Sequence, residues 1–207
     1  MEHKLLLIGG GGHCKSIIDS LGSCTSYDEI SIIDKASCIG TSVGNINVIG
    51  TDDDLVLLKS SGYTNAFVSV GSIGNPSIRI KLMKHIRELG FHIPNIIDSS
   101  SHVSPSCRLG QGIYIGKAAN INAECLIGDG AIINTGAIVE HECKLGSFVH
   151  IAPAAVVCGG TSIEDNTHIG ANATVLQGIR VGANVMIAAG SVVTKNVLSG
   201  QTVIGVK

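Results

Sequence analysis

The sequence predicts two domains of different architecture: a short Rossmann-like parallel α/β sheet over residues 1–94 and a parallel β-helix over residues 95–207. Two observations predict this division. Aliphatic residues recur at every sixth position through the second half of the chain, whereas strand-like and helix-like segments alternate in the first half. Alternation of strands with helices is typical of a parallel sheet flanked by helices.

The second half repeats with a period of six. Starting at Ile97, seventeen consecutive steps of six residues each meet an aliphatic side chain: Ile97, Val103, Leu109, Ile115, Ile121, Ile127, Ile133, Val139, Leu145, Ile151, Val157, Ile163, Ile169, Val175, Val181, Ile187 and Val193. A period of six is neither helical nor a simple strand alternation. Three hexapeptides instead make one triangular coil, and successive coils hydrogen-bond at a spacing of about 4.8 Å. The pattern therefore predicts a stack of coils.

A second pattern accompanies the aliphatic residues at every sixth position. The residue two places before each of them is usually small. Cys107, Cys125 and Cys143 occupy this slot in three successive coils, where a buried thiol behaves as a small apolar group. The interior of such a coil is narrow, which agrees with an aromatic content of only 3% and the absence of Trp. These cysteines are expected in the core and not in a catalytic site.

The first half predicts strands and helices in alternation. The expected strands are 4–8, 29–33 and 65–70, and the expected helices are 14–21, 52–60 and 78–89. Gly9–Gly12 and His13 form a loop between the first strand and the first helix, and Asp34 ends the second strand. Backbone N–H groups at a helix N-terminus favour a phosphate, and glycines allow its close approach.

Alternatives remain for this loop at the level of sequence. A strict dinucleotide motif starting at Gly9 would place Cys14 at its third glycine, which argues against a nicotinamide site. A tight turn with a helix cap is the alternative to a phosphate site, although four consecutive glycines are more than a turn needs. The later segment Val70–Asn75 contains Gly71 and lies at the same edge of the predicted sheet, where it either holds a base or ribose or serves as a connector.

Histidines mark the candidate catalytic region of the β-helix. His141 and Glu142 stand between the inward positions Val139 and Cys143, so both are expected on the outer surface or at a corner of the coil. An imidazole can act as a general base near neutral pH, and a neighbouring carboxylate can orient it. His150 and His168 are eighteen residues apart and are expected to stack on adjacent coils. Outward histidines also allow a zinc site, which would need convergent ligands.

Bulk composition narrows the expected partners. The formal net charge is −2 and there is no basic run, so neither nucleic acid nor an anionic membrane is expected as a partner. Seven cysteines without a CxxC pair argue against a disulfide scaffold and a structural zinc site. No apolar stretch reaches the length of a membrane span and no signal peptide precedes the first strand, so a cytoplasmic location is expected.

The whole chain resembles the sugar O-acyltransferases of sialic-acid biosynthesis and the UDP-amino-sugar N-acetyltransferases of bacillosamine biosynthesis. The Glu-His-Glu segment inside a hexapeptide array is the most specific part of the likeness. The matching stretches are Ile8–His13, Ile33–Asp34, Val70–Gly71, Asn134–Thr135, Val139–Cys143 and Gly190–Lys195. The resemblance implies a left-handed β-helix, acetyl-CoA as co-substrate without a required metal, and a homotrimer with active sites between subunits.

The resemblance also implies roles for individual residues. His141 would be the general base, with Glu142 hydrogen-bonded to it. The nucleotide sugar would contact Gly11, Gly12, His13, Asp34, Gly71 and Asn134. Acetyl-CoA would contact His150, Gly159, Ala171 and Ala189, with the N–H of Gly159 stabilising the oxyanion.

Two departures from the family pattern affect these expectations. Cys14 stands where the family usually has glycine, and relatives usually continue past the position of Lys207 through a proline-containing tail, so the contact with the adenine of CoA is expected to differ.

The expected reaction is direct acetyl transfer to a nucleotide-linked amino sugar. The alternatives are O-acetylation of sialic acid or another sugar hydroxyl, a β-helical zinc hydratase, and a non-catalytic scaffold that binds a sugar nucleotide.

Overall fold

The computed structural model describes residues 3–24 and 27–206, and its internal contacts divide the chain into two units. The first unit comprises residues 1–71 and 77–94, and the second comprises residues 72–76 and 95–207. The short segment Ser72–Pro76 therefore belongs with the β-helical part of the chain, although it lies within the first half of the sequence.

The first unit is built around a five-stranded sheet. Its strands are β1 (Lys4–Ile8), β2 (Glu29–Ile33), β3 (Ser42–Val43), β4 (Ile46–Gly50) and β5 (Asn65–Val68). Its helices are α1 (Gly12–Cys24), α2 (Leu55–Ser60) and α3 (Ser77–Glu88), with 3-10 turns at Ala36–Cys38 and Asp52–Asp54. The strand order is β3-β4-β2-β1-β5, and all neighbours are parallel except β3 and β4. The predicted parallel α/β sheet is confirmed.

The core of the first unit follows from an apolar central strand and two amphipathic helices. Leu5, Leu6 and Leu7 of β1 are fully buried, as expected for a strand covered on both faces. Helix α1 buries Ile17, and α3 buries Ile86. This arrangement brings the ends of β1 and β2 and the start of α1 to one edge of the sheet.

The structure corrects several sequence-based boundaries in the first unit. Helix α1 is Gly12–Cys24, so Gly12 and His13, which were predicted in the loop, belong to the helix, and β5 ends at Val68 instead of residue 70. The helix expected over 52–60 is a 3-10 turn followed by α2, and it starts with a capping box in which Thr51 and Asp54 exchange hydrogen bonds. The antiparallel pair β3–β4 was not predicted. Its turn contains Gly44 at φ +60°, a conformation that favours glycine and that suits a tight hairpin.

The second unit is a parallel β-helix of two-residue strands. They are β6 (Ile96–Ile97), β7 (His102–Val103), β8 (Arg108–Leu109), β9 (Tyr114–Ile115), β10 (Asn120–Ile121), β11 (Leu126–Ile127), β12 (Ile132–Ile133), β13 (Ile138–Val139), β14 (Lys144–Leu145), β15 (His150–Ile151), β16 (Val156–Val157), β17 (Ser162–Ile163), β18 (His168–Ile169), β19 (Thr174–Val175), β20 (Arg180–Val181), β21 (Met186–Ile187), β22 (Val192–Val193) and β23 (Thr202–Val203).

These strands form three parallel sheets, here called faces 1, 2 and 3. Face 1 contains β6, β9, β12, β15, β18, β21 and β23. Face 2 contains β7, β10, β13, β16, β19 and β22, and face 3 contains β8, β11, β14, β17 and β20. The turn that leads from face 1 to face 2 is the 1–2 corner, and the turn that leads from face 2 to face 3 is the 2–3 corner.

The core of the β-helix is the predicted aliphatic column together with the small residues beside it. Ile115, Ile133, Ile151, Ile169 and Ile187 are all fully buried on face 1, each paired with the residue eighteen positions away. Cys125 and Cys143 are also fully buried, as predicted, whereas Cys107 is half-buried in the first coils. Within residues 3–24 and 27–206, no helix has the length and apolarity of a membrane span.

Candidate active site

The glycine loop of the first unit borders a cavity of about 980 Å³. All five residues of this unit that were predicted to bind the nucleotide line it: Gly11, Gly12, His13, Asp34 and Gly71. Helix α1 begins at Gly12, so the first turn of the helix borders the cavity. Such a position favours an anionic group.

The space available for a side chain differs among the four consecutive glycines. Gly9 adopts φ +101°, and a β-carbon there would lie 2.4 Å from a methyl group of Val70. A β-carbon on Gly10 would lie 3.1 Å from Oδ2 of Asp34. Gly11 and Gly12 have neither a positive φ nor any atom within 4 Å of the place where a β-carbon would be. Packing does not require these two glycines, and the open space beside them allows a ligand to approach the backbone closely.

Asp34 holds the glycine loop through its carboxylate. The N–H of Gly10 donates to Oδ2 at 2.6 Å, and the N–H of Lys35 donates to Oδ1 at 2.7 Å. The loop is also tied at Gly9, whose carbonyl accepts a hydrogen bond from the Ser69 hydroxyl at 2.6 Å. Asp34 therefore fixes the shape of the loop as well as lining the cavity.

His13 and Cys14 have shifted pKa values because they are enclosed at the start of α1. Burial and the nearby Arg79 guanidinium lower the pKa of His13 to about 4, so its imidazole is neutral at physiological pH. Burial raises the pKa of the Cys14 thiol to about 11. Cys14 is fully buried, which shows that the departure from the usual glycine is accommodated in the packing of α1.

His141 and Glu142 lie on the 2–3 corner and are both exposed. The imidazole donates from Nδ1 to Oε2 of Glu142 at 3.0 Å, which leaves a lone pair on Nε2. The ring lies against Gly159 of the next coil, where a β-carbon would come within 2.6 Å of Nε2. Glu142 has φ +60°, a strained conformation for a residue with a side chain, which recurs at other turns of the β-helix such as Glu124 at φ +61°.

The N–H of Gly159 is available beside this imidazole. The N–H of Cys158 bonds to the carbonyl of Val175, and the N–H of Gly160 bonds to the carbonyl of His141 at 2.9 Å. Within residues 27–206 the N–H of Gly159, between them, has no hydrogen-bond acceptor. An N–H that is available near a general base can stabilise a developing oxyanion.

A second group of predicted residues lies on face 1 and the 1–2 corner. Asn134 follows β12, and its Nδ2 donates to Nε2 of His150 at 3.2 Å. Ala171 and Ala189 are exposed and occupy equivalent positions of the 1–2 corner, eighteen residues apart. Within one chain the predicted residues of the β-helix therefore fall on two different corners, with His141, Glu142 and Gly159 on one and Asn134, Ala171 and Ala189 on the other.

His150 and His168 pack together on face 1, as their spacing predicted. They are paired in register on adjacent strands, and their rings meet edge to face with centroids 4.8 Å apart. Both are buried, although the repeat predicted outward positions for these histidines. In the described part of the chain, no group of three or more His, Cys, Asp or Glu side chains is arranged to hold a metal ion.

Comparison with known proteins identifies the family. Residues 4–86 match the model of the PglD N-terminal domain, and residues 160–195 match the hexapeptide repeat of succinyl-transferase. A crystal structure of perosamine N-acetyltransferase from Caulobacter crescentus, a histidine-to-asparagine variant in complex with CoA and GDP-perosamine, is 37% identical. The match covers 98% of this chain and 93% of that one, with a TM-score of 0.91. The chain belongs to the PglD-like family of hexapeptide-repeat sugar acyltransferases.

Two further structures are similar to this acyltransferase. The acetyltransferase domain of PglB from Neisseria gonorrhoeae, in complex with acetyl-CoA, is 36% identical over 99% of this chain and 97% of that one, with a TM-score of 0.89. WeeI from Acinetobacter baumannii is 22% identical over 98% and 97%, with a TM-score of 0.86, and supports the fold alone. A search of curated proteins found no match. The left-handed β-helix expected from the resemblance is confirmed.

Proposed function

We propose that this acyltransferase moves the acetyl group of acetyl-CoA to the amino group of a sugar linked to a nucleoside diphosphate. The observation that carries the proposal is the hydrogen bond from His141 Nδ1 to Glu142, which leaves Nε2 as a base beside the N–H of Gly159. The relatives support the substrate classes. One is an N-acetyltransferase with CoA and GDP-perosamine bound, and another is an acetyltransferase domain with acetyl-CoA bound.

The proposed chemistry is direct transfer without an acyl-enzyme. The amino nitrogen attacks the thioester carbon while Nε2 of His141 takes a proton from the attacking amine. Glu142 keeps the ring oriented and stabilises the imidazolium that forms. The N–H of Gly159 stabilises the oxyanion of the tetrahedral intermediate. The carbon–sulfur bond then breaks, and the CoA thiolate leaves with the proton returned from His141.

The cavity of the first unit suits the nucleotide part of the acceptor. Its volume of about 980 Å³ lies within the range of small-molecule sites, and the start of α1 offers N–H groups to a diphosphate. Neutral His13 is able to donate or accept a hydrogen bond there. Asp34 retains acceptor capacity for a ribose hydroxyl because each of its oxygens accepts one backbone N–H.

We propose a homotrimer with sites between subunits, and the two-corner arrangement supports a site that is shared between copies. In one chain the 2–3 corner carries His141 and Gly159, and the 1–2 corner carries Asn134, Ala171 and Ala189. One side of the triangular coil separates the two corners. A site that uses both groups therefore takes them from two copies of the chain. The cytoplasmic location expected from the sequence stays a prediction.

A thiol-release assay tests the reaction. Acetyl-CoA is supplied with GDP-perosamine, with a UDP-linked 4-amino-4,6-dideoxy sugar, with free sialic acid, or with no acceptor. Release of CoA with an amino-sugar nucleotide is expected. Release only with sialic acid would contradict the proposed N-acetylation and assign O-acetylation to the enzyme. His141→Asn should abolish the signal, whereas His102→Asn, at an exposed histidine of face 2, serves as the matched control and should retain it.

Mixing two inactive variants tests the shared site. His141→Asn removes the base from the 2–3 corner, and Ala171→Trp fills the 1–2 corner. If the site lies between copies, mixed oligomers contain some sites with both corners intact and regain activity. A mixture that stays inactive after subunit exchange, confirmed by light scattering and by tagged subunits, would contradict the inter-subunit site.

A further inference from the structure

The peptide group between Cys158 and Gly159 is held from inside the β-helix. The carbonyl of Cys158 accepts a hydrogen bond from the Thr161 hydroxyl at 2.6 Å and another from the Cys143 thiol at 3.3 Å. Thr161 and Cys143 are both fully buried, so this carbonyl points into the interior of the coil. The same peptide group carries the N–H of Gly159, which lies beside the imidazole of His141.

The planarity of this peptide group sets the direction of its N–H. In a trans peptide the C=O and N–H bonds point in opposite directions, and the described peptides of this chain are all trans. A Cys158 carbonyl held toward the interior therefore turns the N–H of Gly159 outward. His141 is exposed on this outer side of the 2–3 corner, so the direction of the N–H matches the position of the base.

The hydroxyl of Thr161 is a stronger donor than the side chains at the same position of the preceding coils. Cys107, Cys125 and Cys143 precede Thr161 at intervals of eighteen, and each thiol donates to the corner carbonyl fifteen residues further along the chain. A thiol is a weak donor, whereas a hydroxyl forms an ordinary hydrogen bond. The hydroxyl thus appears in this series on the coil that carries Gly159.

The single proton of the Thr161 hydroxyl is directed to Cys158. Its oxygen lies 2.6 Å from the carbonyl oxygen of Cys158 and 3.2 Å from that of Leu176 on the next coil. A hydroxyl donates one hydrogen bond, and the shorter distance favours Cys158. Such a bond polarises the peptide group, because linked hydrogen bonds strengthen one another in a protein interior. The N–H of Gly159 is thereby a better donor to a developing oxyanion.

We propose that Thr161 is a positioning residue for the N–H of Gly159. Its hydroxyl holds the Cys158 carbonyl inward, and this both directs the N–H outward and polarises it. The inference rests on the proposed function, in which that N–H stabilises the oxyanion of the tetrahedral intermediate. Thr161 is fully buried, so it acts through this peptide group and not by contact with a substrate.

Three variants of the full chain test this role. Thr161→Val keeps the shape of the side chain and removes the hydroxyl, and Thr161→Ser retains a hydroxyl as the conservative variant. Thr167→Val is the matched control, because Thr167 is 1% exposed and its hydroxyl donates to the carbonyl of Gly182 at 2.7 Å, on the turn from face 3 to face 1. Both valine variants remove a buried hydroxyl, so both should unfold at lower urea concentration than the wild type.

Steady-state kinetics and the NMR amide resonance of Gly159 are the measurements. For Thr161→Val we expect kcat to fall by about tenfold with both Michaelis constants nearly unchanged, because the N–H acts on the transition state. The resonance of Gly159 should shift, since its peptide group loses a hydrogen bond at the carbonyl. Thr161→Ser should recover most of kcat, and Thr167→Val should keep the wild-type kcat and resonance. Equal kcat values for the two valine variants would overturn the proposal.

The resonance does not depend on the reaction. If the wild type is inactive on every amino-sugar nucleotide, the proposed function fails, whereas a shift of the Gly159 resonance in Thr161→Val, absent from Thr167→Val, still supports control of this peptide group by Thr161. If the resonance stays in place, that control is wrong. If the enzyme is active and Thr161→Val changes neither kcat nor the resonance, the positioning role fails while the proposed function stands.

Discussion

The imidazole of His141 lies against the α-carbon of Gly159 on the next coil, and there is no room between them for a methyl group. A β-carbon on Gly159 would be 2.6 Å from Nε2 and 2.7 Å from the neighbouring ring carbon. Gly159 does not have a positive φ, so its backbone conformation does not require glycine. The position of the His141 imidazole does require glycine at residue 159. The geometry of the base therefore depends on the absence of a side chain there.

Gly159→Ala should therefore reduce activity without unfolding the chain. The methyl group would push the ring of His141 outward, and a displacement of about 1 Å from the reacting geometry is sufficient for a loss of roughly a hundredfold in kcat. The matched control is Gly178→Ala, on the next coil of the same corner, where φ is +69° and the space is open. That control should lower stability by about 1 kcal/mol and leave kcat unchanged. Equal kcat values for the two variants would contradict the steric argument.

Glu142→Asn should raise stability and lower activity. The residue has φ +60°, which asparagine tolerates better than glutamate, so the free energy of unfolding should rise by roughly 0.5–1 kcal/mol. Loss of the carboxylate beside Nδ1 should lower kcat by about ten- to a hundredfold. Glu124→Asn provides the control, because Glu124 has φ +61° at the equivalent turn one coil earlier. Denaturant titration and kcat should show the same stabilisation there with full activity.

Asp34→Asn should weaken binding of the nucleotide sugar. An amide cannot accept from both Gly10 and Lys35 as the carboxylate does, so the glycine loop loses one of two charge-assisted hydrogen bonds. We expect KM for the nucleotide sugar to rise by about tenfold and KM for acetyl-CoA to stay constant. KM for acetyl-CoA is the control for the change in KM for the nucleotide sugar. A parallel rise in both would mean that the substitution disturbs more than the loop.

His13 makes stability depend on pH. Its pKa is lowered from 6.5 to about 4 in the folded chain, so below pH 6.5 the unfolded chain binds a proton that the folded chain does not. The contribution of His13 is complete above pH 6.5 and falls as the pH drops toward 4, by up to about 3 kcal/mol. Urea denaturation at several pH values should show a shallower decline for His13→Gln. Superimposable pH profiles of the two proteins would rule out this contribution.

The β-helix was predictable because its core has a period that a single sequence can display. Each aliphatic residue in the series pairs with the residue eighteen positions away, so one rule fixes strand, register and burial together. The rule is weakest at Ile97, Val103 and Leu109, which are less buried because they lie in the first coils of the stack. The hairpin β3–β4 was missed although Gly44-Asn45 between apolar residues offered a signal for a tight turn.

The candidate site was predictable only where its contacts are local or periodic. The pairing of His141 with Glu142 and the stacking of His150 on His168 follow from adjacency and from the spacing of eighteen. The hydrogen bond from His150 to Ser72 joins residues 78 positions apart and has no periodic signature. For the same reason, the sequence could not distinguish which part of Val70–Asn75 lines the cavity and which part packs on the β-helix.

The ladders of the β-helix allow the number of coils to change without a change at the catalytic corner. Every strand of faces 1 to 3 pairs only with the strands one coil before and one coil after it. Gain or loss of a whole eighteen-residue unit beyond the coils that hold His141 and Gly159 would change the ends of the ladders but none of the contacts around that imidazole. The length of the array and the chemistry at its corner can therefore diverge independently, and relatives with longer or shorter stacks can share one catalytic design.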